Sequence, residues 1–233
     1  MQNVVPHHQG ESMNISIIGA GNIGAVLALR LVERGHEVRI ANSRGAETLG
    51  EIVRQTGAQA GNPKDIVRGA DVIVVTIPLK NVRDLPSDLF AGVPDTVTFI
   101  DTCNYYPQQR DGRIAEIEQG LPESRWVEQQ IKRPVIKAFN NIYAANLRDK
   151  GVPSGKAGRI ALPVAGDNAA AKAIVIGLVN DLGFDGVDAG PLDESWKQQP
   201  GSPVYTSDFD AAGVRNGLNA ASPQRTADWR AKA

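Results

Sequence analysis

The sequence predicts an α/β fold, a Rossmann-type doubly wound parallel sheet with a small C-terminal extension, on three observations. Short apolar runs rich in β-branched residues recur along the chain: Ile15 to Ile18, Asp71 to Pro78, Thr96 to Asp101 and Pro134 to Phe139. Segments of helical pattern lie between them, the alternation that parallel strands need for their crossovers. A glycine-spaced hexapeptide, Gly19-Ala20-Gly21-Asn22-Ile23-Gly24, stands directly between the first run and a helix.

Each glycine of that turn has its own steric task. Gly19 permits the tight turn, Gly21 lets backbone approach a pyrophosphate, and Gly24 lets the helix lie against the sheet. The helix carries Ile23, Val26, Leu27, Leu31 and Val32 on one stripe and stops at Gly35, and His36 to Ile40 forms the second strand. Its N-terminus offers unpaired N–H groups and a positive dipole end, favourable for an anion. The strand–glycine–helix–strand context is what makes the motif a dinucleotide site rather than a chance glycine triplet.

The tip of the second strand selects the nucleotide. An NAD site places Asp or Glu about twenty residues past the glycines to hold the ribose hydroxyls. This chain has Asn42, Ser43 and Arg44 there. No carboxylate at the tip repels a phosphate, Ser43 can donate a hydrogen bond, and Arg44 offers a guanidinium fork. NADP is the expected cofactor.

Further elements follow in order. Ala46 to Thr56 reads as a helix ending at Gly57, and Asp65 to Arg68 as a short helix closed by Gly69. Lys80 to Phe90 is an irregular connection broken by Pro86, and residues 108–133 are polar with a helical patch at Trp126 to Ile131. Asn140 to Leu147 is the next helix. Beyond the Gly151 to Gly158 loop come a strand at Arg159 to Ala165, a helix at Ala169 to Leu182 and a strand at Phe184 to Asp188. Asp193 to Gln199 is a single helical stretch, and Asp210 to Ala221 the last helix. The expected division is a mobile tail at 1–13, a nucleotide-binding unit at 14–150, and a C-terminal sheet and helix extension at 151–233.

Composition narrows the function. The 233 residues suffice for one sizeable core or one domain with an appendage. A formal net charge of −1 carries no nucleic-acid footprint. With Cys103 the only cysteine, no disulfide can form within the chain, and a cytoplasmic setting is expected. No stretch spans a membrane, and residues 1–12 lack the apolar core of a signal peptide. Met13 could serve as an alternative start, and the tail histidines His7 and His8 are not expected to hold a metal.

Hydride transfer between planar rings needs stacking and exclusion of water more than reactive side chains. The expected site is therefore formed by strand ends: Thr76, Ile77 and Pro78; Asp101 to Tyr106; Ala138 to Asn141. No separate catalytic residue and no metal ligand is expected. Cys103 reads as a small buried residue, since no suitably placed histidine activates it. His36 reads as packing at the strand entrance. Tyr105 and Tyr106 are either turn packing or substrate contacts, and Asn140 and Asn141 either helix caps or ligand donors.

Taken together, Gly19 to Gly24, the Asn42-Ser43-Arg44 tip, the Val75 to Pro78 strand end and the Lys137-Ala138-Phe139-Asn140 run resemble the NADP oxidoreductases dependent on coenzyme F420. The resemblance covers roughly Asn14 to Pro203. It implies a Rossmann-type domain with a small C-terminal part, usually a homodimer, exchanging a hydride between NADPH and a deazaflavin (coenzyme F420); the wider reading admits a flavin-like acceptor. It further implies that Gly19 to Gly24 hold the pyrophosphate and Ser43 and Arg44 the 2′-phosphate. Thr76, Pro78, Ala138 and Asn140 would meet the nicotinamide end. One departure concerns Glu194 to Gly201, a polar stretch with one aromatic where the family tends to be apolar. It is either a remade acceptor pocket or a surface turn. The alternatives are a reductase or dehydrogenase of a small metabolite and a non-catalytic NADP(H) sensor. Enzymes of the first kind use a long helical C-terminal domain, whereas about forty residues follow the last strand here.

Overall fold

The computed structural model describes residues 12–232. His7 and His8 lie outside the described residues. Ser12 and Met13, assigned to the tail, are instead held by the fold. The Ser12 hydroxyl donates to the Gly35 carbonyl, the Met13 N–H donates to His36 Nδ1, and the Met13 side chain packs on the core.

Strands β1 (Asn14–Ile18), β2 (Glu37–Ala41), β3 (Gln59–Ala60), β4 (Val72–Val75), β5 (Thr98–Asp101) and β6 (Ile136–Lys137) form one parallel sheet in the order β3-β2-β1-β4-β5-β6. The order reverses between β1 and β4, so a crevice opens beyond their carboxyl ends, where ligands of such sheets sit. Helices α1 (Asn22–Glu33), α2 (Gly50–Thr56), α3 (Pro63–Ile66), α4 (Ala115–Glu118), α5 (Glu123–Ile131), α6 (Ala144–Asp149), α7 (Ala169–Asp181) and α8 (Ala211–Ala220) surround it.

Strand periodicity divides the core in two. Ile15, Ile17, Val72, Val74 and Ile100 face the layer containing Leu27, Leu31, Leu147 and Val175. Ile18, Ile73, Val75 and Phe99 face the layer of Leu79, Val82, Trp126 and Val127. The polar Ser16 on the second face is fully buried and donates to the Ile66 carbonyl at 2.5 Å.

Three expectations change. The 134–139 strand contracts to Ile136–Lys137 because Phe139, its ring buried, adopts φ +60° and turns the chain out of the sheet. The helix expected from Asn140 begins only at Ala144, with Tyr143 as its N-cap, so neither asparagine caps it. The C-terminal strands β7 (Ala161–Val164) and β8 (Asp185–Asp188) do not extend the main sheet. They pair in parallel with each other, joined to β6 by a single antiparallel bridge between Lys137 and Ala165. A two-residue edge that turns away at Phe139 leaves no ladder to continue. No helix among the described residues is long and apolar enough to cross a membrane.

Candidate active site

The glycine turn is built as its spacing requires. Gly19 sits at φ +121°, and a Cβ there would lie 2.1 Å from the Thr76 carbonyl oxygen. At Gly24 a Cβ would lie 2.1 Å from the Gly19 carbonyl oxygen and 2.9 Å from Thr76 Cγ2. These two glycines seat α1 on the sheet and clasp β1 to the end of β4. Gly21 differs: it is exposed, its backbone is extended at φ −80° and ψ −170°, and nothing lies within 4 Å of a Cβ built on it. It is the N-cap of α1, supplies no side-chain cap, and no acidic residue stands in the first turn. The helix start therefore keeps its free donors and its positive end for an anion. Ala20 and Ile23 pack toward the core, so they face a ligand mainly with backbone, whereas Asn22 is exposed.

At the β2 tip, the Asn42 carboxamide oxygen accepts the Arg44 N–H at 2.9 Å while its Nδ2 donates to Thr48 Oγ1 at 2.9 Å. Asn42 thus shapes the loop, and Ser43 and Arg44 stand exposed. Glu47, three residues past Arg44, folds back against Gly45, where a Cβ would lie 2.3 Å from its Oε1. A carboxylate thus reaches the loop from the flank, though none occupies the tip.

Thr76, Ile77 and Pro78 follow β4 half-buried beside the glycine turn. The other two residues expected at the nicotinamide end are placed differently. Ala138 is fully buried in the core, because the backbone turn at Phe139 directs it inward. Asn140 is 4% exposed and committed: its Nδ2 donates to Asn104 Oδ1 at 3.0 Å and to the Gln198 carbonyl at 2.7 Å, while its Oδ1 accepts from Gln198 Nε2 at 3.1 Å. Asn104, half-buried, is the member of this network nearer the surface.

Sequence reading missed a buried ionic chain under the strand ends. Lys137, Asp101 and Glu123 have fully buried side chains, with Lys137 Nζ 3.2 Å from Asp101 Oδ2 and 4.0 Å from Glu123 Oε2. Ser124 donates to Asp101 Oδ2 at 2.7 Å, and Arg225 donates to Glu123 Oε1 at 2.6 Å. Its one sequence signal is a charged residue at the end of each apolar strand, Asp101 and Lys137. The chain fixes β5, β6 and the C-terminal segment together. That segment also seats Trp229 against Tyr106 and Tyr205, whose hydroxyls hydrogen-bond each other.

Titration follows burial. Burial, reinforced by the Asp101 carboxylate, pushes the Cys103 thiol well above its ordinary value, so it is a poor nucleophile. Burial is also the main cause raising Tyr105 to about 12 and lifting the Tyr205 phenol above its usual range, the latter helped by the Tyr106 hydroxyl. His36 packs at the strand entrance as expected, and burial lowers its imidazole below the ordinary 6.5. Glu194 to Gly201 is largely interior: Ser195, Gln198 and Gln199 are at most 5% exposed, which removes the surface-turn reading. Two concavities, of about 600 and 690 Å³, lie away from the glycine turn.

Residues 14–105 match the family model described as NADP oxidoreductase, coenzyme F420-dependent, and the resemblance drawn from the residues holds over that segment. The protein YjhV of Escherichia coli K12 is 43% identical over 81 residues, 35% of this chain and 52% of that protein. A crystal structure of the hypothetical protein SMa0349 from Sinorhizobium meliloti superposes with a TM-score of 0.70 at 29% identity, covering 86% of this chain and 96% of the other. The structure of a “putative f420 dependent nadp-reductase” from Arthrobacter sp. FB24 gives a TM-score of 0.63 at 22% identity, covering 79% and 87%, and supports the shared fold. Other curated relatives are reductases and dehydrogenases of small metabolites. The chain spans about half the length of YjhV and 36% and 26% of two of those others.

Proposed function

We propose that this chain is an NADPH-dependent oxidoreductase that moves a hydride between NADP(H) and a deazaflavin of the coenzyme F420 type, or a flavin-like acceptor. One observation carries the reading: an open Gly21 at an uncapped helix start beside a β2 tip free of carboxylate. The residues fit the nucleotide. The first N–H groups of α1 hold the pyrophosphate, and Ser43 and Arg44 the 2′-phosphate as a charge-assisted donor pair. Thr76, Ile77 and Pro78 form the wall for the nicotinamide end, and Asn140 acts there by fixing Asn104. The nicotinamide ring, when bound, supplies the hydride, and the protein's part is to orient the rings and keep water out. The matched family, described as NADP oxidoreductases, and the relative named glycerol-3-phosphate dehydrogenase [NAD(P)+] support a nicotinamide cofactor. A homodimer, implied by the family resemblance, belongs to the proposal and is checked by light scattering.

The runner-up is reduction of a small carbonyl metabolite, supported by the curated relatives of that class. Such a reaction needs an acid for the developing alkoxide. The hydroxyl pair Tyr106–Tyr205 lies beyond β5, yet burial holds the Tyr205 phenol high, the wrong direction for a proton donor.

The test is anaerobic. The protein is mixed with NADPH or NADH and with oxidised coenzyme F420 or flavin mononucleotide, and absorbance is followed. Fast reduction by NADPH and poor reduction by NADH is the expected result. Binding of NADPH without reduction of either acceptor would overturn the acceptor assignment and leave the nucleotide site standing.

A further inference from the structure

Away from the glycine turn, the 192–203 segment and the C-terminal segment enclose a second concavity in two parts. The outer part is the cleft of about 600 Å³, walled by Leu121, Pro122, Trp196 and Pro223. The inner part is a pouch of about 30 Å³ lined by Gln199, Ser202, Arg225 and Trp229 among others. Trp196, Gln199 and Arg225 border both. A void that size has room for about two oxygen-sized atoms, since a single water needs roughly 10–15 Å³ or more.

Among the described residues, three polar atoms at the pouch have no partner: Gln199 Nε2, Ser202 Oγ and Arg225 Nη1. Gln199 is 5% exposed, so its amide is cut off from bulk water. The two nitrogens can only donate, and the hydroxyl can donate as well. Neighbouring acceptors are already engaged. Gln199 Oε1 and Glu123 Oε1 both accept from Arg225 Nη2, at 2.8 and 2.6 Å. Glu118 pairs with Arg230 and accepts from the Tyr105 hydroxyl, and Asp193 pairs with Arg125. These acceptors are engaged while the three atoms at the pouch are not, and unmet buried donors are costly.

We propose that the pouch binds the terminal oxyanion of a small acidic metabolite, carboxylate or phosphoryl, whose body lies in the outer cleft against Trp196. One oxygen would accept from the Gln199 amide, the Ser202 hydroxyl and the free Arg225 nitrogen together. Arg225 and Trp229 belong to the C-terminal segment, so occupancy also ties that segment to the 192–203 stretch. The site is independent of the hydride-transfer reading.

The experiment uses the full chain, with tryptophan fluorescence and calorimetry, since Trp196 and Trp229 border the pouch. Sodium phosphate and sodium acetate are titrated separately, with sodium chloride at matched ionic strength as the control. Saturable binding of phosphate or acetate, absent with chloride, is expected, and the preferred anion identifies the source. Ser202→Ala removes a hydroxyl with no partner among the described residues and should weaken that binding by about tenfold, the scale of one hydrogen bond to a charged group. Gln199→Leu should weaken it further, with NADPH affinity unchanged in both variants. No saturation by either oxyanion, an equal response to chloride, or full affinity in Ser202→Ala would each overturn the proposal.

Discussion

Replacing Gly21 by alanine should separate nucleotide binding from folding. The backbone there is extended at φ −80° and ψ −170°, which any L-residue adopts, and the new methyl meets nothing within 4 Å. Two small effects on stability nearly cancel. Alanine is a poorer N-cap than glycine by about 0.5–1 kcal/mol, and it restricts the unfolded chain by about 0.4–1 kcal/mol. The folded protein should change by no more than about 0.5 kcal/mol, the residue of those two terms. Binding has no such compensation. An oxyanion held by the α1 N–H groups sits about 2.9 Å from nitrogen, and a methyl beside those groups pushes it off that distance. Losing one or two charge-assisted bonds at about 1.5–3 kcal/mol each weakens NADPH by at least about tenfold. Gly24→Ala is the contrast, because its Cβ lies 2.1 Å from the Gly19 carbonyl oxygen and α1 must shift. Overpacking of that kind costs about 1–3 kcal/mol. Urea unfolding and NADPH titration of the two variants read both quantities. Wild-type NADPH affinity in Gly21→Ala, or a larger stability loss there than in Gly24→Ala, would refute the assignment of Gly21 to the pyrophosphate.

Other predictions test separate parts. Arg44→Ala should weaken NADPH by about 1.5–3 kcal/mol, the value of a hydrogen bond to a charged group, and leave NADH nearly untouched. Equal loss for both nucleotides would remove the 2′-phosphate assignment. Lys137→Met should destabilise the fold by about 3–5 kcal/mol in urea, because Asp101 loses its buried partner. Adding Asp101→Asn should recover part of that loss, and no recovery would argue against the ion pair as its source. His36 has a folded pKa below its unfolded value of about 6.5, so the unfolded state binds the extra proton first. Stability should therefore hold at neutral pH and fall as pH drops from about 6.5 through the lowered folded value. His36→Gln should flatten that slope, and an unchanged unfolding profile between neutral and mildly acid pH would exclude His36 as its origin.

The sequence by itself determined what lies within one strand–helix–strand window. The apolar strand, the three glycines and the α1 stripe are short-range steric and periodic constraints, and all stand where the pattern put them. The same holds for the β2 tip, where the absence of Asp or Glu is visible in one tripeptide. Tertiary structure decided the rest, because those interactions join residues far apart in the chain. Lys137 meets Asp101 across 36 positions and Arg225 meets Glu123 across 102, and a charge at the end of an apolar strand does not say which distant residue it will meet. Ala138 and Asn140 illustrate the same limit: a strand end in the sequence suggested a ligand wall, but the left-handed turn at Phe139 sent one side chain into the core and the other into a network with Asn104 and Gln198. That turn also decided where the sheet stopped, since a parallel ladder cannot continue past a residue that has left the extended conformation.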